Sequence, residues 1–117
     1  MWMRIAIATI GLAGATAVRH THLIKSTPAA GDTVRVAPRE IRLWFSERPE
    51  VPFTSVTLLN TDSVKLAVGK AAAAADSLEV AVPLPAELAP GNYAVLWRTA
   101  SQDGHAARGR FEFSVVR

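Results

Sequence analysis

The chain has 117 residues, enough for one domain, and it contains no cysteine, so a disulfide-stabilised fold is excluded. Its formal net charge is +3, but Arg4 and Arg19 are two of its 13 basic residues, so the remainder carries 11 basic against 10 acidic groups. The basic residues are scattered singly rather than clustered with aromatic residues. This distribution argues against nucleic acid as a partner.

Residues 1–19 are predicted to be a signal peptide. Arg4 supplies the positive charge that is expected near the start of a signal peptide, and Ile5–Leu12 is apolar. Ala15-Thr16-Ala17 fits the small-residue rule for cleavage after Ala17. The apolar stretch is shorter than the roughly 20 residues that span a membrane, so an uncleaved anchor or a buried N-terminal helix is the less favoured alternative. We therefore expect a periplasmic or otherwise exported protein whose mature domain is residues 20–117.

The pattern of the remaining sequence predicts short strands separated by turns. Apolar and polar residues alternate, as is typical of half-buried strands, in 40–45, 56–58, 78–82, 93–97 and 111–115. Proline and glycine mark turns between them. The pattern predicts an all-β, immunoglobulin-like antiparallel β-sandwich of Greek-key type, with Trp44 and Trp97 in or near its core. The alanine run 71–75 is the one misfit, and we expect a surface loop there with one helical turn at most.

All three histidines lie in two short clusters, His20-Thr21-His22 and Asp103-Gly104-His105. Asp-Gly is also a common hairpin dipeptide, and histidines near a chain end are often merely solvated, so neither cluster alone establishes a site. The mature domain has imidazole and carboxylate donors but no sulfur, because both methionines, Met1 and Met3, lie in the predicted signal peptide. This donor set suits Cu(II) better than Cu(I).

Several stretches, taken in order, resemble the CopC-type periplasmic copper-resistance proteins. The resemblance implies a β-sandwich with a Cu(II) site made by His20 with its α-amino group, Asp103 and His105. It places Glu47 beside the site, and His22 is a candidate additional ligand. The matching stretches are HTHLIKSTPAAG (20–31), PREIRLWFSE (38–47), the segment 83–98, SQDGH (101–105) and GRFEF (109–113).

Two features depart from that family. Some members carry a methionine-rich loop for Cu(I), whereas the corresponding residues 48–53 contain no methionine. In addition, the family usually has its cleavage site directly before the ligand histidine, and here Val18-Arg19 intervenes. Cleavage after Ala17 would leave a Val18-Arg19-His20 terminus, which can chelate Cu(II) by itself and would deny His20 the role of N-terminal residue.

The sequence therefore predicts an exported, monomeric copper-binding protein that serves copper buffering, resistance or delivery to a membrane copper-transport protein. It is expected to be a binding module and not an enzyme. Two alternatives stay open at this point: a copper-dependent oxidative enzyme, which would oxidise a polysaccharide, and an immunoglobulin-like structural domain, which would not bind Cu(II).

Overall fold

The computed structural model describes residues 20–117, so the predicted signal peptide lies outside the described residues. This part of the chain contains no helix that is long and apolar enough to cross a membrane. It forms a 3-10 turn at Val51–Phe53 and the strands β1 Leu23–Thr27, β2 Thr33–Val34, β3 Glu40–Phe45, β4 Ser55–Leu59, β5 Lys65–Leu66, β6 Ala72–Ala73, β7 Glu79–Pro83, β8 Gly91–Ala100 and β9 Ala106–Val115.

The strands form two sheets, with the orders β1-β3-β7-β6 and β2-β9-β8-β4-β5. Neighbouring strands are antiparallel except for the short β2, which runs parallel to the end of β9. The longest ladder joins β8 to β9 and extends from the Gly91–Val115 pair to the Ala100–Ala106 pair. The predicted antiparallel-rich β-sandwich is thus confirmed.

The core forms between the two sheets from the residues whose alternation predicted it. Ile41, Leu43 and Phe45 of β3 are fully buried, and so are Val80 and Val82 of β7. They pack in one cluster with the inward residues of the second sheet, which include Tyr93, Val95, Trp97, Phe111, Phe113 and Val115. Burying one large apolar side chain contributes about 1.5–3 kcal/mol, so this cluster is the main source of stability in a domain without disulfides.

The two tryptophans of the domain differ in their surroundings. Trp97 is 7% exposed and meets Phe45 of the opposite sheet edge to face, with ring centroids 5.4 Å apart. Trp44 instead lies half-buried on the outer face of the first sheet, where the Lys25 ammonium stands 4.6 Å from its ring centroid. The period of two explains the difference, because Trp44 follows the inward Leu43 and precedes the inward Phe45.

The alanine run does not form the expected loop with a helical turn. Ala72 and Ala73 form β6, an edge strand that pairs with Ala81 and Val80 of β7. Five residues are too few to repay helix nucleation, whereas the free edge of β7 offers backbone hydrogen bonds directly. Long-range pairing therefore outweighs the helix propensity of alanine.

Residues 46–54 connect the first sheet to the second at the end of the sandwich where β3 ends and β4 begins. Pro49 forms an isolated bridge with Ser101, and the Glu50 amide donates to the Ala100 carbonyl at 2.8 Å. The Thr54 hydroxyl lies 2.9 Å from the Glu50 carbonyl and 2.8 Å from the buried Thr99 hydroxyl. These bonds hold the connection against the last residues of β8.

Gly109 on β9 accommodates the Trp97 ring. The two residues are cross-strand partners, and a Cβ at Gly109 would come within 2.6 Å of Trp97 Cε2 and 2.8 Å of its Nε1. Real side chains do not approach so closely, so the ring lies in space that only glycine leaves free. The residue is required here for packing and not for turn formation.

We expect Gly109→Ala to lower the free energy of unfolding by about 1–3 kcal/mol, because the added methyl group overpacks the Trp97 site. Urea denaturation followed by circular dichroism measures the loss. Trp97→Phe removes the indole atoms that the methyl group meets, so Gly109→Ala should cost less in that background. An equal cost in both backgrounds would contradict this packing explanation.

Candidate metal centre

The loop of the β8–β9 hairpin, residues 101–105, carries the Asp-Gly-His motif. The Ser101 amide donates to the His105 carbonyl at 3.1 Å, and the Gly104 amide donates to the Ser101 carbonyl at 2.9 Å. Gly104 has a φ of +87°, a conformation that L residues with side chains rarely adopt. The glycine thus permits the tight turn that brings Asp103 and His105 to the same side of the loop.

The Asp103 carboxylate is held in place by three donors within the turn. One oxygen accepts from the Ser101 hydroxyl and from the His105 amide at 3.1 Å, and the other lies 3.0 Å from His105 Nδ1. These hydrogen bonds hold the pKa of Asp103 well below its usual range, and the one from Ser101 has the largest effect. The carboxylate is therefore ionised, as a metal ligand must be.

The His105 imidazole is oriented by the same carboxylate. Its contact with Asp103 raises the pKa of His105 above the ordinary histidine value. The hydrogen bond has the larger effect, and the negative charge of the carboxylate has the smaller one. Since Nδ1 faces Asp103, Nε2 is the ring nitrogen that is available to bind a metal ion. A carboxylate that orients a histidine in this way is common around metal sites.

Both side chains of this pair are well exposed, His105 to 63% and Asp103 to 56%. Solvent screens an ion pair of this kind, so it contributes little to folding stability. The exposure also leaves both side chains accessible to an ion from solvent.

The segment 20–22 is attached to the end of the sandwich that also carries the hairpin loop. The His22 amide donates to the Ser46 hydroxyl at 3.0 Å, and the Ser46 amide donates to the His22 carbonyl at 2.9 Å. Thr21 is buried, and its hydroxyl donates to Glu47 at 3.3 Å. His20 and His22, on either side of Thr21, are both exposed. The buried Thr21 between them leaves both histidine side chains on the solvent side of the segment.

Glu47 lies between the two histidine clusters. It accepts the hydrogen bond from Thr21 on one side, and its negative charge is close enough to His105 to contribute to the raised pKa of that residue. The neighbouring residues Pro49 and Glu50 are bonded to Ser101 and Ala100, as described above. Residues 46–50 therefore contact the N-terminal segment and the hairpin together.

The structure brings some of the predicted ligands together and leaves others apart. Asp103 and His105 form a pair, with Glu47 nearby. Within residues 20–117, however, no three His, Asp or Glu side chains are close enough to hold a metal ion. His22 points its Nδ1 toward the His20 carbonyl, at 3.4 Å. The roles of His20 and His22 as ligands stay predictions.

Two residues of this region were not assigned a role from the sequence. Ser101 positions the Asp103 carboxylate, and a hydroxyl two residues before an aspartate in a turn is a recognisable signal. The buried Thr21 anchors the N-terminal segment through its hydrogen bond to Glu47, and nothing in the neighbouring sequence distinguishes it from an exposed threonine. Its role depends on Glu47, which is 26 residues away in sequence.

Comparison with known proteins gives consistent matches. The CopC domain model matches residues 23–116. Protein YobA of Escherichia coli (strain K12) is 36% identical over 113 residues, which cover 95% of this chain and 90% of YobA. The crystal structure of PcoC, a methionine-rich copper resistance protein from Escherichia coli, is 34% identical with a TM-score of 0.75, and the match covers 84% of this chain and 100% of that one. Copper transport protein CutJ of Bacillus subtilis (strain 168) is 24% identical, and the match covers 97% of this chain but 21% of CutJ.

We expect Asp103→Asn to lower the pKa of His105 toward its ordinary value, because the substitution removes the negative charge that stabilises the imidazolium. Titration of the His105 ring protons by NMR in the metal-free protein measures the change. Glu112→Gln is the matched control, since Glu112 is an exposed carboxylate of the same hairpin that pairs with Arg110. An unchanged His105 pKa in Asp103→Asn would contradict the assigned contact.

Proposed function

Because the chain belongs to the CopC family and is therefore a copper-binding copper resistance protein, we propose that it holds copper as Cu(II) beside the Asp103–His105 pair. The observation that carries this proposal is that pair: an oriented imidazole and an ionised carboxylate, both exposed and joined by a hydrogen bond in the loop of the β8–β9 hairpin. The proposed ligands are His20, Asp103 and His105, with His22 as a candidate fourth and Glu47 beside the site.

The oxidation state follows from the available donors. Residues 20–117 contain neither cysteine nor methionine, so the soft ligands that select Cu(I) are missing from them. Nitrogen and carboxylate donors suit the tetragonal geometry of Cu(II). The relative PcoC is described as methionine rich, whereas the 3-10 turn here consists of Val51, Pro52 and Phe53.

His20 is the ligand whose participation requires most support. It is adjacent to Thr21, which is buried against Glu47, so its backbone is anchored at the end of the sandwich that carries His105. The His20 side chain is exposed and thus free to change rotamer. If export leaves His20 as the first residue, its α-amino group adds a second nitrogen. If cleavage follows Ala17, Val18-Arg19-His20 forms a separate chelate.

We assign the protein the role of an exported, monomeric binding module and not an enzyme. The proposed site is an exposed pair on a hairpin, which suits reversible capture and transfer of an ion. Nearly the whole of this chain is similar to one segment of copper transport protein CutJ, and that segment makes up about a fifth of CutJ. This similarity supports a membrane copper-transport protein as the partner. Copper would accordingly be cargo that is buffered and handed on.

We expect Asp103→Ala and His105→Ala each to weaken Cu(II) binding by more than about 100-fold, because loss of a direct ligand costs more than loss of a residue that merely orients one. Isothermal titration measures the affinity, and circular dichroism checks that the fold is retained. Glu112→Ala on the same hairpin is the control and should bind normally.

His20→Ala tests whether the two clusters share one ion. A shared site requires that His20→Ala and Asp103→Ala perturb the same Cu(II) electron-paramagnetic-resonance signal. Two signals that respond independently would reject the shared site and indicate a separate N-terminal chelate.

We also expect the domain of residues 20–117 to bind Cu(II) in preference to Cu(I), since these residues include no cysteine or methionine. Competition titrations against a chelator specific for each oxidation state compare the two affinities. Tighter binding of Cu(I) would show that the proposed donor set is wrong.

A further inference from the structure

The outer face of the β8–β9 ladder carries three exposed arginines beside the hairpin loop. Arg98 lies directly opposite Arg108, and Leu96 lies opposite Arg110. Arg98 lies between the buried Trp97 and Thr99, and Arg108 and Arg110 flank Gly109, which lies against the Trp97 ring, so all three arginines face away from the core. The Arg98–Arg108 pair is separated from the loop only by the Thr99–Ala107 and Ala100–Ala106 pairs.

The charges of Arg98 and Arg108 are not balanced within the chain. Arg110 pairs with Glu112 at 2.9 Å. Within residues 20–117, neither Arg98 nor Arg108 forms an ion pair, and residues 1–19 contain no Asp or Glu that could supply one. Like charges directly opposite each other destabilise a sheet. The arrangement is thus unfavourable for folding and has no internal compensation.

Two adjoining concavities extend from these arginines to the hairpin loop. One, of about 520 Å³, is lined by Ser55, Thr57, Leu96 and the three arginines. The other, of about 640 Å³, has Phe53 on one wall and residues of the hairpin loop, including Ser101 and Gly104, on another. Ser55 and Arg98 line both. Phe53 is 68% exposed, so its ring gives this wall an accessible apolar surface.

We propose that this groove, lined by Phe53, Ser55, Arg98 and Arg108, is the docking surface for an acidic segment of the protein that exchanges copper with this chain. Guanidinium groups bind carboxylates through paired, charge-assisted hydrogen bonds, and Phe53 provides an apolar contact next to them. The groove reaches Ser101 and Gly104, so a segment bound there lies beside the loop that also carries Asp103 and His105. This inference rests on the proposed copper-binding function.

The shape of the surface favours a protein segment over a lipid membrane. The apolar wall lies in a concavity, which receives a side chain protruding from a partner, whereas a bilayer contacts groups that protrude toward it. Complementary charge of this kind steers encounter and sets orientation more than it adds affinity. A weak, transient complex is what repeated delivery of an ion requires.

The test uses ¹⁵N-labelled protein and a pentapeptide with four glutamates around a central leucine. We expect the peptide to shift the amide signals of Ser55, Arg98 and Arg108, with binding that weakens as salt is added. The matched probe, with glutamines in place of the glutamates, should shift none of them. Phosphatidylglycerol vesicles and inorganic phosphate are the competing probes.

Two double variants remove equal charge from different ends of the sandwich. Arg98→Gln with Arg108→Gln should weaken peptide binding about tenfold. Arg35→Gln with Arg39→Gln alters exposed arginines between β2 and β3, at the end remote from the hairpin loop, and should leave peptide binding unchanged. Equal weakening in both variants, no binding of the glutamate peptide, or a stronger response to vesicles or phosphate would overturn the proposal.

Copper titration of the same proteins separates this inference from the proposed function. Both double variants should retain the wild-type Cu(II) affinity, since neither alters a proposed ligand. Normal Cu(II) binding with no peptide binding would reject the docking surface alone. Failure of the unaltered protein to bind Cu(II) would reject the proposed function whatever the peptide result.

Discussion

The ladder between β8 and β9 is the constraint on which the rest of the structure depends. It places the core residues Tyr93, Val95 and Trp97 on one face and the arginines on the other, and it ends in the loop that carries Asp103 and His105. Gly109 leaves room for the Trp97 ring, and that ring joins the ladder to Phe45 of the opposite sheet. Core packing, the candidate metal centre and the proposed docking surface therefore share one hairpin.

The connection 46–54 has a complementary role, because it unites two regions that are distant in sequence. Its first residues hold the N-terminal segment, and its later residues are bonded to the end of β8. A site at this end of the sandwich can thus take donors from both termini of the domain without a disulfide. Hydrogen-bonded backbone carries the donors, while their exposed side chains stay accessible to an ion, which suits a protein that binds and releases copper.

Much of the fold could be predicted from local pattern, and the failures have definite causes. Alternation identified β3, β4, β7, β8 and β9 because each has one buried face. The short strands β2, β5 and β6 were missed, since two residues are too few to show a period and their pairing depends on distant partners. The five-residue β1 was missed as well, because its residues do not alternate between buried and exposed positions. Glu79 lies on the outer face beside its cross-strand partner Trp44, as the alternation predicts, yet it is only 9% exposed. Arg42, which is 37 residues away in sequence and donates a hydrogen bond to it, balances its charge there.

The sequence by itself determined the donor chemistry, the two histidine clusters and the β-sandwich, because residue type and period are local properties. The Asp-Gly-His turn was also local, since Gly104 permits the positive φ that folds the carboxylate onto the imidazole. Only the tertiary structure decided that Glu47 stands between Thr21 and His105 and that Arg98 faces Arg108. Those relations depend on strand register and on the crossing between sheets, which are set by packing of the whole core and not by any local segment.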